Sequence, residues 1–264
     1  MDRRTVDAYE GDAADRYLQE RQGSRHAADL GATVDGWRVD VGCGPGHDTA
    51  ALGEPLVSLD ASMAMLRLNP SSHRVQADLC ALPFRRSSLQ GGWASKSYQH
   101  VPHEALPLAL ADLQRALAVG APVVLTLFPG DETVRTEDDD SFPGRLFSLW
   151  DPGRLVEVVH GAGFDDVTVD ADEHRIVVRA VRARMLPDLV RPGLRVLFCG
   201  YNPSLYAADT GVAFGRPGNR FWPAALAAGV VSVDRDPWHA TRHHGVGWTD
   251  LVKRATTAAD ELGD

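Results

Sequence analysis

The feature that most constrains this chain is the run Val39-Asp40-Val41-Gly42-Cys43-Gly44-Pro45-Gly46, a buried-strand pattern that turns directly into three glycines at every second position. Glycine accepts positive φ and lets a ligand approach the backbone with no Cβ in the way. A strand feeding such a turn, with helix-compatible sequence from His47 onward, is the opening of a βα unit whose loop receives a cofactor. Its spacing is G-x-G-x-G. Dinucleotide folds use G-x-G-x-x-G, whose extra residue seats a pyrophosphate on the helix N-terminus, so that ligand class is disfavoured.

Periodicity carries the same pattern onward. Strand-like runs lie at 37–41, 56–59, 89–94, 123–127, 167–169 and 175–181, and helical stretches at 5–22, 62–68, 104–118 and 152–162. This alternation predicts an α/β protein with a parallel sheet and helices on both faces. In the 104–118 stretch Leu106, Leu110, Leu113 and Leu117 share one face, Gly120 supplies a stop, and the chain returns into the 123–127 strand. Segment 129–144 is polar, and its acidic run Asp138–Asp140 reads as a solvated loop without a ligand role.

The rhythm breaks at 182–193, where Pro187 and Pro192 precede a fresh apolar strand at 194–199. At roughly 150 residues per domain, 264 residues leave room for a second unit. The boundary is placed between 184 and 185. Charge divides at the same point: residues 1–184 hold 19 Lys+Arg against 28 Asp+Glu, and residues 185–264 hold 8 against 8, so the net charge of −9 belongs to the first part. Any approach to a polyanion is to be sought in the second.

With 44% hydrophobic and 24% charged residues the chain is an ordinary globular one. No apolar run approaches the roughly 18 residues of a membrane span, and the opening MDRRTVDAYEGDAADRY is charged where a signal peptide is apolar, so a cytoplasmic location is expected. Cys43, Cys80 and Cys199 are odd in number and far apart, which excludes a disulfide framework. Neither they nor His239, His243 and His244 have the spacing of a metal set, and no metal is expected.

Two acidic residues join the glycine turn. Asp60 closes the strand Leu56-Val57-Ser58-Leu59-Asp60, where a carboxylate can accept from both hydroxyls of a ribose, and Asp78 follows in Val75-Gln76-Ala77-Asp78-Leu79. Over about residues 5–181 the set resembles the class I S-adenosylmethionine-dependent methyltransferases. The likeness extends through Trp93-Ala94-Ser95, His100-Val101-Pro102, Gly120-Ala121-Pro122 and Gly163-Phe164. It implies a Rossmann-like sandwich and S-adenosylmethionine as cofactor. Asp40, Gly42, Gly44 and Gly46 would face its amino-acid part, Asp60 the ribose, and Asp78 with Leu79 the adenine. Methyl transfer from a sulfonium depends mainly on alignment, so the family has no universal catalytic residue. Tyr98, His100 and His103 lie past the fourth strand, toward the substrate side. His100 is the catalytic candidate, either as a general base near neutral pH or as a wall of the cofactor pocket. The methyl acceptor is not legible.

After residue 193 the chain reads Gly200-Tyr201-Asn202-Pro203-Ser204, then Thr210-Gly211-Val212-Ala213-Phe214, Arg216-Pro217-Gly218-Asn219-Arg220-Phe221-Trp222-Pro223, and Gly245-Val246-Gly247-Trp248-Thr249-Asp250-Leu251-Val252-Lys253-Arg254. In order and spacing these blocks resemble the mismatch-specific uracil/thymine DNA glycosylases. The resemblance implies that Asn202 positions the attacking water and Phe214 stacks on a flipped base. A neutral amide suits a reaction in which the water needs orientation more than deprotonation. Arg216 and Arg220 are placed at phosphates or in solvent, and Asn219 beside the base loop, with Trp222 in the core beneath it. Tyr201 and Ser204 depart from the family pattern of an aliphatic residue and glycine. The family's later Asn-Pro-Ser-Gly block is not in this sequence, so residues 185–264 correspond to the N-terminal half of a glycosylase domain, whose missing layers would leave apolar surface and a sheet edge open.

The sequence therefore leads to a Rossmann-like methyltransferase sandwich followed by a partial α/β uracil-DNA-glycosylase-like domain. Its functional expectation is a bifunctional fusion acting on duplex DNA with G:U or G:T mispairs in base-excision repair. The alternative is a methyltransferase alone, with an inactive glycosylase segment.

Overall fold

The computed structural model describes residues 2–262. Its centre is a seven-stranded sheet built from β1 (Arg38–Val41), β2 (Leu56–Asp60), β3 (His73–Gln76), β4 (Gly91–Ser95), β5 (Pro122–Leu127), β8 (Phe164–Ala171) and β9 (Ile176–Arg182). A small hairpin, β6 (Thr133–Arg135) with β7 (Leu146–Ser148), is inserted after β5. The strand order is β3-β2-β1-β4-β5-β9-β8. β1, central and flanked on both sides, buries all four of its residues. Between β1 and β4 the order reverses, and at such a switch point the loops leaving the carboxyl ends of the strands part to make a crevice.

Helices cover both faces. Helix Leu106–Ala116 fully buries Leu106, Leu110 and Leu113 beneath β4 and β5, and Leu117 follows as its cap, as the leucine spacing predicts. Three local expectations are corrected. The sheet is not wholly parallel: β9 runs antiparallel to β5 and β8, because only a few residues join β8 to β9 and a connection that short can only reverse the chain. The helix expected over 5–22 is two, Arg3–Asp7 and Asp12–Glu20, parted where Gly11 adopts φ +61°. Segment 129–144 contains β6 and is no simple loop, and Asp140 in its acidic run pairs with Arg145 at 2.8 Å.

Beyond β9, β10 (Val196–Gly200) and β11 (Val246–Asp250) form a separate two-stranded parallel sheet. Helices Leu205–Thr210, Phe221–Ala227 and Pro237–His244 connect them. Leu189, Trp222, Ala225, Val231, Ala240, Val246 and Trp248 make their core, and Ala111 of helix Leu106–Ala116 is buried in the same cluster. The rings of Trp222 and Trp248 stack at 5.2 Å. The other face is bare: Leu197 on β10 and Leu251 after β11 are 48% and 74% exposed. Near its end the chain carries a 3-10 turn at Ala259–Leu262, and 263–264 lie outside the described residues. Among the described residues no helix is long and apolar enough to cross a membrane.

Candidate functional sites

The glycine turn leaves β1 toward the crevice. Gly42, Gly44 and Gly46 have φ of +71°, +53° and +92°, which explains the alternate-residue spacing. At Gly42 a Cβ would collide with the Cβ of Ser97, so the loops after β1 and β4 meet backbone against side chain. Gly44 differs: a Cβ there would find only Tyr17 Cε1, at 3.8 Å, and would otherwise project into open space. That space is a cavity of about 570 Å³ lined by Gly42, Gly44, Asp60, Ala61, Ser62, Leu79, Ser97 and His100, and roofed by Thr5, Val6, Tyr9 and Tyr17 of the N-terminal segment.

Asp60 lies at the end of β2, as expected. One of its oxygens accepts from Gly44 N and the other from Ser62 N, both at 2.8 Å, so the carboxylate also braces the glycine turn. Burial raises its pKa, and those backbone bonds oppose the rise. Asp40 is fully enclosed on β1, with Oδ2 bonded to no atom of the protein, and burial together with Asp48 and Asp60 holds its pKa well above the carboxylate range. Beyond β3, Ala77 and Leu79 face the cavity, while Asp78 between them accepts from Cys80 N at 2.8 Å. An open cradle at Gly44, an orphaned buried oxygen on Asp40 and a carboxylate at the end of β2 together fit a cofactor carrying both an amino-acid and a ribose group.

His100 sits at the inner end of this cavity. Its Nδ1 lies 2.6 Å from the carbonyl of Leu146, to which it donates, and Nε2 faces the Tyr9 hydroxyl at 3.1 Å. Burial lowers its pKa to about 4, so the ring is neutral at physiological pH and its basic nitrogen is turned to Tyr9. The near-neutral titration read from its residue type is removed by this enclosure. Tyr98 and His103 do not line the cavity: Tyr98 is buried in the core, and His103 Nε2 lies 2.6 Å from Leu149 O.

Several residues here carried no motif signal. The roof is fastened by Asp2 to Arg135 at 2.9 Å, by Leu146 N to Thr5 Oγ1 at 2.9 Å and by Ser62 Oγ to Tyr9 O at 3.0 Å. Tyr9, Tyr17 and Lys96 line both this cavity and a larger outer cleft. The only sequence hint was two tyrosines eight residues apart in an otherwise polar stretch.

A second recess lies at the carboxyl ends of β10 and β11, lined by Asn202, Pro203, Ser204, Phe214, Arg216, Asn219 and Asp250. Asn202 donates through Nδ2 to Thr256 Oγ1 at 2.7 Å and to the carbonyls of Arg254 and Pro203. Its Oδ1 is left as the acceptor on that amide. Phe214 has φ +55° and stacks on Phe221 at 4.7 Å. Asn219 Oδ1 accepts from Phe221 N at 2.8 Å and so starts the following helix, while Trp222 is fully buried with Nε1 donated to Ala213 O. Arg216 and Arg220 are exposed, and only Arg216 borders the recess. Ser204, one of the departures noted in the sequence, caps helix Leu205–Thr210 by accepting from Ala207 N.

Asp250 was not foreseen. It is the register partner of Gly200, and a Cβ on Gly200 would strike its carboxylate, so this glycine is what admits the acid between the strands. Burial raises its pKa to about 6. The three histidines gather near Ser232, with His244 Nε2 at 2.7 Å from its hydroxyl. Among the described residues no group of His, Cys, Asp or Glu could hold a metal ion.

Comparison with known proteins divides the chain in the same way. Residues 39–125 match the family model described as a methyltransferase domain, and residues 187–262 match that of the uracil DNA glycosylase superfamily. Among solved structures, a SAM-dependent methyltransferase from Methanosarcina mazei aligns with a TM-score of 0.52 at 14% identity, covering 62% of this chain and 99% of that one. The 1,6-didemethyltoxoflavin-N1-methyltransferase of Burkholderia thailandensis, solved with its namesake and S-adenosylhomocysteine, gives 0.51 at 18% identity, over 64% and 82% of the two chains. A phosphoethanolamine N-methyltransferase of Haemonchus contortus, solved with phosphomonomethylethanolamine and S-adenosylhomocysteine, gives 0.52 at 14% identity over 65% of this chain, which spans only 57% of its length. At these identities the likeness is one of fold.

Proposed function

We propose that this chain, a methyltransferase fold carrying a uracil DNA glycosylase superfamily segment, is built of two functional units. Residues 1–184 form an S-adenosylmethionine-dependent methyltransferase, and residues 185–264 contribute the water-positioning half of a mismatch uracil/thymine DNA glycosylase site. The observation that carries the first is one cavity bordered by both the Gly44 cradle and the Asp60 carboxylate, which is bonded to Gly44 N at 2.8 Å. In this reading Asp40, Gly42, Gly44 and Gly46 hold the amino-acid part of the cofactor, Asp60 its ribose, and Asp78 and Leu79 its adenine. The cofactor supplies an activated methyl group. The chain supplies alignment, a cavity roofed by Tyr9 and Tyr17, and a neutral His100 that faces the Tyr9 hydroxyl.

Calorimetry with S-adenosylhomocysteine tests the assignment. Micromolar binding is expected, weakened about tenfold or more in Asp60→Ala, the scale of a lost charge-assisted hydrogen bond. Absence of binding in the wild type, or equal affinity in the variant, removes the reading. Asp60→Asn keeps acceptance at one oxygen and guards against collapse of the glycine turn.

For the second unit, the Asn202 amide anchored by Thr256 leaves Oδ1 to orient a water, and Phe214 gives a flipped base a surface worth about 1–3 kcal/mol of stacking. Excision of uracil from a G:U duplex by the wild type and not by Asn202→Ala is the expected result. The bare face of β10 and β11 favours a second reading, in which residues 185–264 are catalytically silent and the chain is a methyltransferase only. Failure of the wild type to excise the base selects that reading.

A further inference from the structure

The outer cleft beside Lys96 has a charge opposite to that of the chain. Lys96, Arg21, Arg25, Arg145 and Arg175 line it against Asp40, Asp48 and Asp172, in a protein of formal net charge −9. The carboxylates do little to neutralise it. Asp40 is enclosed with its pKa raised, and Asp48 is bonded inward by Ser24 N and Trp93 Nε1. Arg145 pairs with Asp140, and Arg175 lies 3.6 Å from Asp172. Lys96, Arg21 and Arg25 have no carboxylate within ion-pair distance among the described residues.

Lys96 also occupies a position the backbone does not adopt freely. Its φ is +57°, a conformation that costs an L residue about 1–2 kcal/mol. Two bonds from its N–H, to Thr126 O and Thr126 Oγ1, both at 3.0 Å, hold it there. The result is a lysine at the mouth joining the inner cavity to the cleft, the one charged side chain among the described residues that lines both. Burial lowers its pKa, Arg21 and Arg175 lower it further, and Asp48 opposes them, so the cations lining the cleft outnumber the carboxylates that face them. Beside it stand flat apolar walls: Phe128, whose ring centroid is 6.0 Å from Lys96 Nζ, and Phe147.

We propose that this cleft is the methyl-acceptor subsite and takes a small molecule with an aromatic body and an anionic oxygen group, a carboxylate or a phosphate. The anion would lie among Lys96, Arg21 and Arg25, and the ring against Phe128 and Phe147. The recess favours a small ligand over a nucleic-acid strand, because the chain around it carries a net charge of −9. This inference rests on the cofactor reading above, in which Asp40, Gly42 and Gly44, which also line the cleft, hold the cofactor's amino-acid part, so the acceptor would lie beyond them toward Lys96, Arg21 and Arg25.

The sequence provides a clean probe, since Lys96 and Lys253 are its only lysines and Lys253 is paired with Asp188. Reductive methylation with ¹³C on the full chain gives each a separate NMR signal, assigned with Lys96→Arg and Lys253→Arg. With S-adenosylhomocysteine saturating, 1-naphthoate or 1-naphthyl phosphate should shift the Lys96 signal and raise its titration midpoint, and neutral 1-naphthamide should leave it unmoved. Lys253 should stay still throughout. Whichever anion acts at the lower concentration identifies the group. Arg21→Ala with Arg25→Ala should weaken that anion by about tenfold and S-adenosylhomocysteine by less than twofold. The proposal is overturned if S-adenosylhomocysteine binds yet neither anion moves Lys96. It is equally overturned if naphthamide moves Lys96 as far, or if a twelve-residue single-stranded oligonucleotide moves it where the small anions do not. If S-adenosylhomocysteine itself fails to bind, the cofactor reading falls and the acceptor assignment falls with it, while the response of Lys96 to the anions still decides whether the cleft is an anion site.

Discussion

β1 and β10 are short strands that both run into a turn bordering a cavity, and they meet opposite fates. β1 has a strand on each side and helices above and below, and each of its residues is buried. β10 is paired only with β11, and none of its five residues is fully buried. The same local sequence logic thus yields a rigid platform where the layers are complete and a half-open one where they are not. In the first region the cavity is roofed by the N-terminal segment, and in the second the recess beside Asn202 has no such roof. Stability should follow the same division, with β10 and β11 opening at lower denaturant than β1, β4 and β5.

Trp222→Ala tests that division most strongly. Removing this fully buried ring should cost about 3–5 kcal/mol. Hydrogen exchange during urea titration should show the loss at β10 and β11 and not at β5. Equal loss at both would mean that Ala111 and its neighbours weld the regions into one cooperative unit.

Gly42→Ala is the matching probe of the first region. Positive φ and the collision with Ser97 should together cost about 2–4 kcal/mol, read as a lower urea midpoint at β1. An unchanged midpoint would mean that the loops after β1 and β4 yield easily and that the platform is not rigid.

Asp250 sharpens the comparison through pH. Its carboxyl titrates near 3.8 when unfolded and at about 6 when folded, so between those values the folded chain keeps a proton that the unfolded chain has lost. Stability of the second region should therefore fall as pH rises from about 4 to about 6 and stay lower above. The acid is partly open to solvent, and the loss is about 1 kcal/mol once screening is allowed for. Asp250→Asn should flatten the profile and stabilise the region at pH 7, and a variant that keeps the wild-type slope would assign the pH dependence to another group.

The smallest effect belongs to Arg184 and Asp209, an exposed pair at 2.6 Å that ties the end of the first region to helix Leu205–Thr210. Arg184→Ala should leave the urea midpoint almost unchanged in moderate salt. A larger shift would make this contact a true hinge between the regions.

Much of the first site was legible because its requirements are local. Positive φ at Gly42, Gly44 and Gly46 favours glycine at each position, and a carboxylate ending β2 is read from the strand pattern alone. In the second site Asn202 and Phe214 could likewise be named from their blocks, and they do border one recess. Lys96 and Asp250 were missed for one shared reason. Each is an ordinary charged residue in sequence, and its significance comes from neighbours distant in the chain, Arg21 and Arg175 for one and Gly200 for the other. His100 shows the reverse, a residue conspicuous in sequence whose basicity is removed by burial and whose ring is held by Leu146 and Tyr9.

The sequence by itself determined the alternating α/β architecture, the glycine turn and the position of Asp60 at the end of β2. Each of these is encoded in periodicity or backbone conformation over a few residues. Tertiary structure decided which strand reverses, that Tyr9 and Tyr17 come to roof the cavity, and that cations from four separate segments face one cleft. Those outcomes depend on strand order and chain crossing, which bring β4 beside β1 and segment 2–20 over both, and no short window of sequence contains the distances on which they rest.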